Sequence, residues 1–184
     1  ASWQHPMPLQ PGAILPADES LTVLFHGFRF VEGKKGPLFF GLPGTRLVLA
    51  NCDIISALCG LGEFHSSHLY LLGCQVAESG DAPRLGEPVP VPEATVWLRG
   101  QARAEIWNCT LVDNVKTEAT LLGVDSSRFV VRNSILWEYD GEYIAYASDA
   151  TDPLLRVTQI EVHGEAQADV QSSLVFLPSA QTGV

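Results

Sequence analysis

Along this chain the apolar residues fall on alternate positions in short bursts, and the bursts recur as one phrase. Leu47 to Ile55 (LVLANCDII) returns as Leu69 to Ala77 (LYLLGCQVA), as Ala104 to Val112 (AEIWNCTLV) and as Phe129 to Trp137 (FVVRNSILW). Val23 to Val31 and Ala168 to Phe176 are weaker copies. In each copy the apolar columns alternate with mixed ones, which predicts short strands with one buried face. Between two such strands stands Gly27, Asn51, Gly73, Asn108, Asn133 or Ser172. These small or turn-prone residues tolerate left-handed backbone, so the position predicts a tight bend.

Taking the residue after each bend as a marker gives Phe28, Cys52, Cys74, Cys109, Ser134 and Ser173, separated by 24, 22, 35, 25 and 39 residues. The short intervals suit one turn of a parallel β-helix made of three short strands and three bends. The two long ones are a turn plus an insertion, placed at Asp81 to Glu93 and Tyr139 to Pro153. A further strand precedes each copy: Val96 to Ile106 aligns without gaps on Ile160 to Val170, and Leu38 to Leu42 and Leu121 to Val124 are similar. An antiparallel sandwich also has many short strands, but gives no reason for one bend residue to recur in register. The expected fold is therefore all-β, a single-stranded right-handed parallel β-helix (solenoid) of about six rungs with two loop insertions. Residues 1–20 are expected to form an irregular N-terminal cap, 21–177 the helix and 178–184 a C-terminal tail.

The repeat resembles the right-handed parallel β-helices of the pectin-lyase-like superfamily, whose bends often carry Asn and whose interiors stack like side chains. The resemblance implies an architecture shared by polysaccharide lyases, glycoside hydrolases, esterases, phage fibres and non-catalytic modules. It does not imply one activity. Polygalacturonase-like motifs (Asn-Thr-Asp, Asp-Asp, Gly-His-Gly, Arg-x-Lys) are missing, as are the pectinesterase signatures and the Arg-x-Pro-x-x-Arg pattern of many pectate lyases.

Composition narrows the function classes. The chain of 184 residues carries a net charge of −10 and is 46% hydrophobic. That net charge argues against nucleic acid and anionic membrane surfaces, which need basic patches, and no apolar run reaches the length of a membrane span. No basic stretch leads into an apolar one at the N-terminus, and the chain begins with Ala rather than Met, so a leader or upstream domain is expected to have been removed. The compartment stays undetermined. Cys52, Cys74 and Cys109 share one column, which predicts stacked, buried free thiols rather than disulfides.

Several columns could carry chemistry. Four residues after the marker stand Glu32, Ser56, Glu78, Asp113 and Glu138. Rungs about 4.8 Å apart would bring Asp113 and Glu138 near the roughly 5 Å separation of a retaining glycosidase, with Arg128 beside them; an acidic strand edge is the plainer reading. Six residues before the marker run Thr22, Arg46, His68, Arg103, Arg128 and Gln167, a largely basic stripe. It suits an anionic sugar held by arginine, or pairing with nearby acids such as Asp125. His65 and His68 do not converge on a strand as they would on a helix, and a calcium site from Asp140, Glu142, Asp149 and Asp152 is less expected than a solvated loop. No metal and no cofactor is expected.

Two outward columns are apolar for free surface: Leu24, Val48 and Tyr70 in one, Leu72 and Trp107 in the other. Such a strip predicts cover by Ala1 to Pro16 or Asp81 to Glu93, self-association or a protein partner, or a sugar platform on Tyr70 and Trp107. The ends of a solenoid are open cores. Trp3, Met7, Leu9, Ile14 and Leu15 among prolines suit a cap, whereas Pro178 to Val184 is short and polar and suggests an end-to-end partner or a truncated domain. The preferred expectation is a non-catalytic module with a structural, adhesive or partner- or carbohydrate-binding role in a larger protein. Its ligand-binding residues would be Arg46, His68, Arg103, Arg128, Tyr70 and Trp107. The alternatives are a carbohydrate-active enzyme acting on an acidic polysaccharide, with Asp113, Glu138 and Arg128 as its catalytic residues, and a phage-fibre-like oligomeric segment.

Overall fold

A computed structural model describes residues 21–33, 37–57, 60–77, 94–112, 119–137 and 158–175. The expected cap, tail and two insertions lie outside these residues. The chain visits three parallel sheets in rotation. Sheet A holds β1 (Thr22–His26), β4 (Arg46–Ala50), β7 (His68–Leu72), β10 (Arg103–Trp107), β13 (Arg128–Arg132) and β16 (Gln167–Gln171), in that spatial order. Sheet B stacks β2 (Arg29–Gly33), β5 (Asp53–Ala57), β8 (Gln75–Ala77), β11 (Thr110–Val112), β14 (Ile135–Trp137) and β17 (Leu174–Val175). Sheet C stacks β3 (Phe39–Gly41), β6 (Gly62–His65), β9 (Ala94–Arg99), β12 (Ala119–Gly123) and β15 (Thr158–Val162). Each strand pairs with its counterpart in the next pass of the chain, the arrangement of a parallel β-solenoid.

The register follows the repeat. Leu49 pairs with Leu71, Leu71 with Ile106, Ile106 with Val131 and Val131 with Val170, so one apolar column runs through the interior. Leu49, Leu71, Ile106 and Val131 are fully buried. So are Ile54, Val76, Leu111 and Leu136 on sheet B, and Val96, Leu98 and Leu121 on sheet C. Each such side chain contributes on the order of 1.5–3 kcal/mol by leaving water. At the N-terminal end the aliphatic columns give way to rings: Phe25 meets Phe28 edge-on at 5.4 Å and Phe30 at 5.5 Å.

The bend between sheets A and B has the predicted chemistry. Gly27, Asn51, Gly73, Asn108, Asn133 and Ser172 all have φ between 48° and 69°. A second left-handed column, at the bend from sheet C to sheet A, is an addition to the sequence reading. It comprises Gly44, Ser66, Gly100, Asp125 and Gly164. Gly44 and Ser66 stand two residues before the next strand of sheet A and the other three stand three before it. That one-residue drift hides the column from a fixed-offset reading.

The column of markers does more than fill space. Cys52, Cys74 and Cys109 are buried free thiols. Each donates its S–H to the carbonyl two residues earlier or to one in the preceding pass: Cys52 to Ala50 at 3.3 Å, Cys74 to Leu49 at 3.2 Å, Cys109 to Trp107 at 3.2 Å. In turn the N–H of Cys74 donates to Cys109 Sγ at 3.4 Å, that of Cys109 to Ser134 Oγ at 3.1 Å, and that of Ser134 to Ser173 Oγ at 3.1 Å. Buried backbone groups left over where the sheet ladder breaks at the bend are thereby satisfied. This is why the column, from Cys52 to Ser173, holds Cys and Ser rather than Ala or Val. The hydrogen bond between the Cys74 and Cys109 thiols pushes Cys109 up, and burial in the apolar core adds to that rise.

Candidate functional site

Alternation along β4, β7, β10 and β13 turns three columns outward on sheet A. The first is the basic stripe: Thr22 pairs with Arg46, Arg46 with His68, His68 with Arg103, Arg103 with Arg128 and Arg128 with Gln167. The structure thus brings Arg46, His68, Arg103 and Arg128 onto one line, Arg46 to Arg128 spanning three strand spacings, about 14 Å. The second column runs Leu24, Val48, Tyr70, Glu105, Val130 and Asp169, and the third His26, Ala50, Leu72, Trp107, Arg132 and Gln171. Tyr70 and Trp107 lie on neighbouring strands in different columns, Tyr70 opposite Glu105 and Trp107 opposite Leu72, so their rings sit diagonally. Trp107 and Leu24 are exposed, whereas Val130 is buried.

Electrostatics divides the stripe in two. Arg103 Nη2 meets Glu105 Oε1 at 3.1 Å on its own strand. Arg132 Nη2 donates to Asp169 Oδ2 at 2.6 Å and its Nη1 to the Asp169 carbonyl at 2.8 Å. Arg128 reaches the same carboxylate at 4.0 Å. The hydrogen bond from Arg132 holds the Asp169 carboxyl below the usual carboxylate range, assisted by the charges of Arg132 and Arg128. Asp125, expected beside these arginines, instead accepts the Gly100 N–H at 2.9 Å and pins the second bend column. Among the described residues no carboxylate pairs with Arg46 or His68; the His68 ring lies edge-on to Tyr70 at 6.4 Å. Among the described residues, the part of the stripe beside Val48 and Tyr70 is therefore the part on which no carboxylate is placed.

Of the acidic column, Glu78, Asp113 and Glu138 lie outside the described residues, and Glu32 and Ser56 are placed only as backbone on β2 and β5. The four acids considered for calcium also lie outside them. His65 ends β6 on sheet C while His68 begins β7 on sheet A, so the bend at Ser66 puts the two on different sheets. Among the described residues no group of three His, Cys, Asp or Glu could hold a metal ion. No helix among them is long and apolar enough to cross a membrane.

Sheet C carries a cluster that the sequence reading did not single out. The Arg99 guanidinium lies 3.6 Å from the centroid of the Trp97 ring. Across the register Trp97 pairs with Glu63 and Arg99 with His65, and His65 Nε2 lies 3.7 Å from Glu63 Oε2. Farther along the sheet His163 Nε2 meets Glu161 Oε1 at 3.0 Å. The gapless alignment of Val96 to Ile106 on Ile160 to Val170 held the signal, since it sets Trp97 over Glu161 and Arg99 over His163. Among the described residues, sheet C thus presents paired charges, whereas sheet A joins ion pairs at Arg103, Arg128 and Arg132 to an apolar surface beside Arg46 and His68. No family model, no curated protein and no solved structure matches this chain.

Proposed function

We propose that the chain is a non-catalytic solenoid module that uses the outward face of sheet A to contact a protein partner or another copy of itself. The supporting observation is the continuity of Leu24, Val48 and Tyr70 in one column with Leu72 and Trp107 in the next, on the face of a strongly acidic protein. A contiguous apolar strip rimmed by polar residues usually marks a contact. The repeat pattern further supports a right-handed coil of about six rungs like those of pectin-lyase-like proteins, because crossovers between parallel strands are almost always right-handed. Leu72→Glu with Trp107→Glu is expected to abolish association measured by light scattering while leaving the circular dichroism spectrum unchanged. Association that survives both charges would overturn the assignment of this face.

A second reading rests on Arg46 and His68, which stand beside the Tyr70 column with no carboxylate partner among the described residues. Together they suit an anionic polysaccharide, the arginine by bidentate hydrogen bonds and the ring by stacking. Calorimetry with uronate polymers is then expected to show binding weakened at least tenfold by Arg46→Ala or Tyr70→Ala, without release of new chain ends. Chain cleavage that disappears with Arg128→Ala, Asp113→Ala or Glu138→Ala would instead establish the enzyme.

A further inference from the structure

The marker column runs a line of sulfur through the interior. Leu72 pairs with Trp107 before the marker and Gln75 with Thr110 after it, so Cys74 and Cys109 stand one strand spacing apart, about 4.8 Å. Both belong to the core cluster that holds Leu71, Val76, Ile106 and Leu111, and only 3% of Cys74 and 1% of Cys109 is exposed. The thiols share one orientation. Sγ lies 3.3 Å from the Ala50 carbonyl in Cys52, 3.6 Å from that of Leu72 in Cys74 and 3.2 Å from that of Trp107 in Cys109, each time the residue two earlier. The sulfurs therefore stack by translation along the coil axis, and a hydrogen bond links the thiols of Cys74 and Cys109.

Two sulfurs stacked in this way are the ligand set of a soft ion. An ion held by thiolate bonds of about 2.3 Å on opposite sides separates its sulfurs by about 4.6 Å, close to the spacing between passes. Side chains stand roughly perpendicular to a sheet, so the Cβ–Sγ bonds lie across the line between the sulfurs, the bent approach a thiolate ligand requires. A disulfide fits less well, because translation keeps the Cβ atoms a strand spacing apart, beyond the roughly 3.5–4.5 Å of such a bond. Zinc is excluded by count, since it takes four ligands and no group of three His, Cys, Asp or Glu among the described residues could hold an ion. Calcium and magnesium take oxygen ligands. Two thiolates in an apolar setting suit a soft monovalent cation.

We propose that Cys74 and Cys109 form a two-coordinate site for Cu(I) in the core of the solenoid. On binding, two S–H bonds break, two S–Cu bonds form and two protons leave to solvent, with no change of oxidation state. Both sulfurs keep a backbone N–H donor, Cys74 from Cys52 and Cys109 from Cys74 at 3.4 Å. The Leu72 and Trp107 carbonyls lose their thiol donors, a cost that two metal–sulfur bonds exceed. The way in is short, because Gly73 and Asn108, each next to a ligand, are exposed at the bend. The site lies in the interior and does not rest on the proposal for the face of sheet A.

The test titrates the reduced full chain, without oxygen, with Cu(I) held by a coloured chelator. The folded chain is expected to withdraw one equivalent, with an affinity that rises with pH because protons are released. X-ray absorption of the loaded chain is expected to show two sulfur neighbours and no nitrogen or oxygen. Cys74→Ser and Cys109→Ser are each expected to weaken binding by more than the roughly 10–100-fold that a lost outer-shell partner costs. Cys52→Ser and Cys59→Ser are expected to leave it unchanged. Failure of the folded chain to withdraw Cu(I) would overturn the proposal. So would a third ligand in the absorption spectrum, or a loss with Cys52→Ser or Cys59→Ser as large as with Cys74→Ser. If a serine variant unfolds, the absorption spectrum of the unmodified chain decides the matter.

Discussion

Leu71 and Val170 occupy the same interior column of the coil, yet Leu71 has no exposed surface and Val170 keeps 37% of its own. Both are aliphatic, both sit at the fourth position of a five-residue strand of sheet A, and both point inward. What differs is the neighbour beyond. Leu71 lies between Leu49 and Ile106, while Val170 has Val131 on one side and no described strand on the other. In a solenoid each pass is covered by the passes above and below it, so stability is a sum of neighbour interfaces, and among the described residues the last interface is missing at either end. The same residue pattern therefore makes core in the middle and partly exposed surface at the ends of the described stack.

The largest test of that contrast is truncation of equivalent side chains. Leu71→Ala is expected to cost about 2–5 kcal/mol in urea unfolding, since it leaves a cavity between two occupied passes. Val170→Ala is expected to cost less than about 1 kcal/mol, because the shortened side chain is already partly in water. Equal losses would mean that the end is as well covered as the middle.

The thiol column sharpens the comparison. Cys109→Val adds about one methyl group at the mid-stack site and removes the acceptor for the Cys74 N–H, and a loss of about 1–3 kcal/mol is expected. Cys109→Ser keeps a donor and an acceptor, as Ser134 does one pass later, and is expected to lose less than Cys109→Val. A valine variant as stable as the serine variant would show that the column is only a filler. Next in size is the bend. Asn108 has φ 55°, so Asn108→Ala places a Cβ-bearing residue without local hydrogen-bonding capacity in left-handed backbone, at about 1 kcal/mol. Asn108→Gly is expected to be close to neutral.

The smallest effect is expected at the tip. Asp169 is depressed by its hydrogen bond from Arg132, so its folded-state pKa lies below its unfolded one. The stabilisation is complete above the ordinary aspartate value, near 3.9 or so, and vanishes as pH falls through the lower, folded-state value. Asp169→Asn is expected to flatten that acidic limb of a stability-against-pH curve while leaving the limb above neutral pH unaltered. The effect is small because the pair is exposed to solvent.

Much of this was legible in the residues. The strand positions, the bend column and the alignment of Arg46, His68, Arg103 and Arg128 on neighbouring strands all follow from one repeated phrase. A parallel register simply stacks equivalent positions of that phrase. The second bend column was not legible, because a shift of one residue between Ser66 and Gly100 breaks a fixed offset without breaking the stack. The pairing of the arginines was not legible either. Asp125 is near Arg128 in the chain, yet its carboxylate turns back to a bend N–H, and Asp169, a full pass away, takes Arg132 and Arg128. Trp97 and Arg99 escaped notice because a strand alternation says which side a residue faces and nothing about which neighbour it leans on.

The sequence by itself determined the columns. A hydrophobic period of two, interrupted at regular intervals by residues that tolerate left-handed backbone, admits few arrangements other than stacked passes of short strands. Only the tertiary structure decided which outward columns are free, which cations already have an anion, and where the interior meets solvent. Those properties depend on distances between side chains from different passes and on whether a further pass exists, and neither is a property of any local stretch of chain.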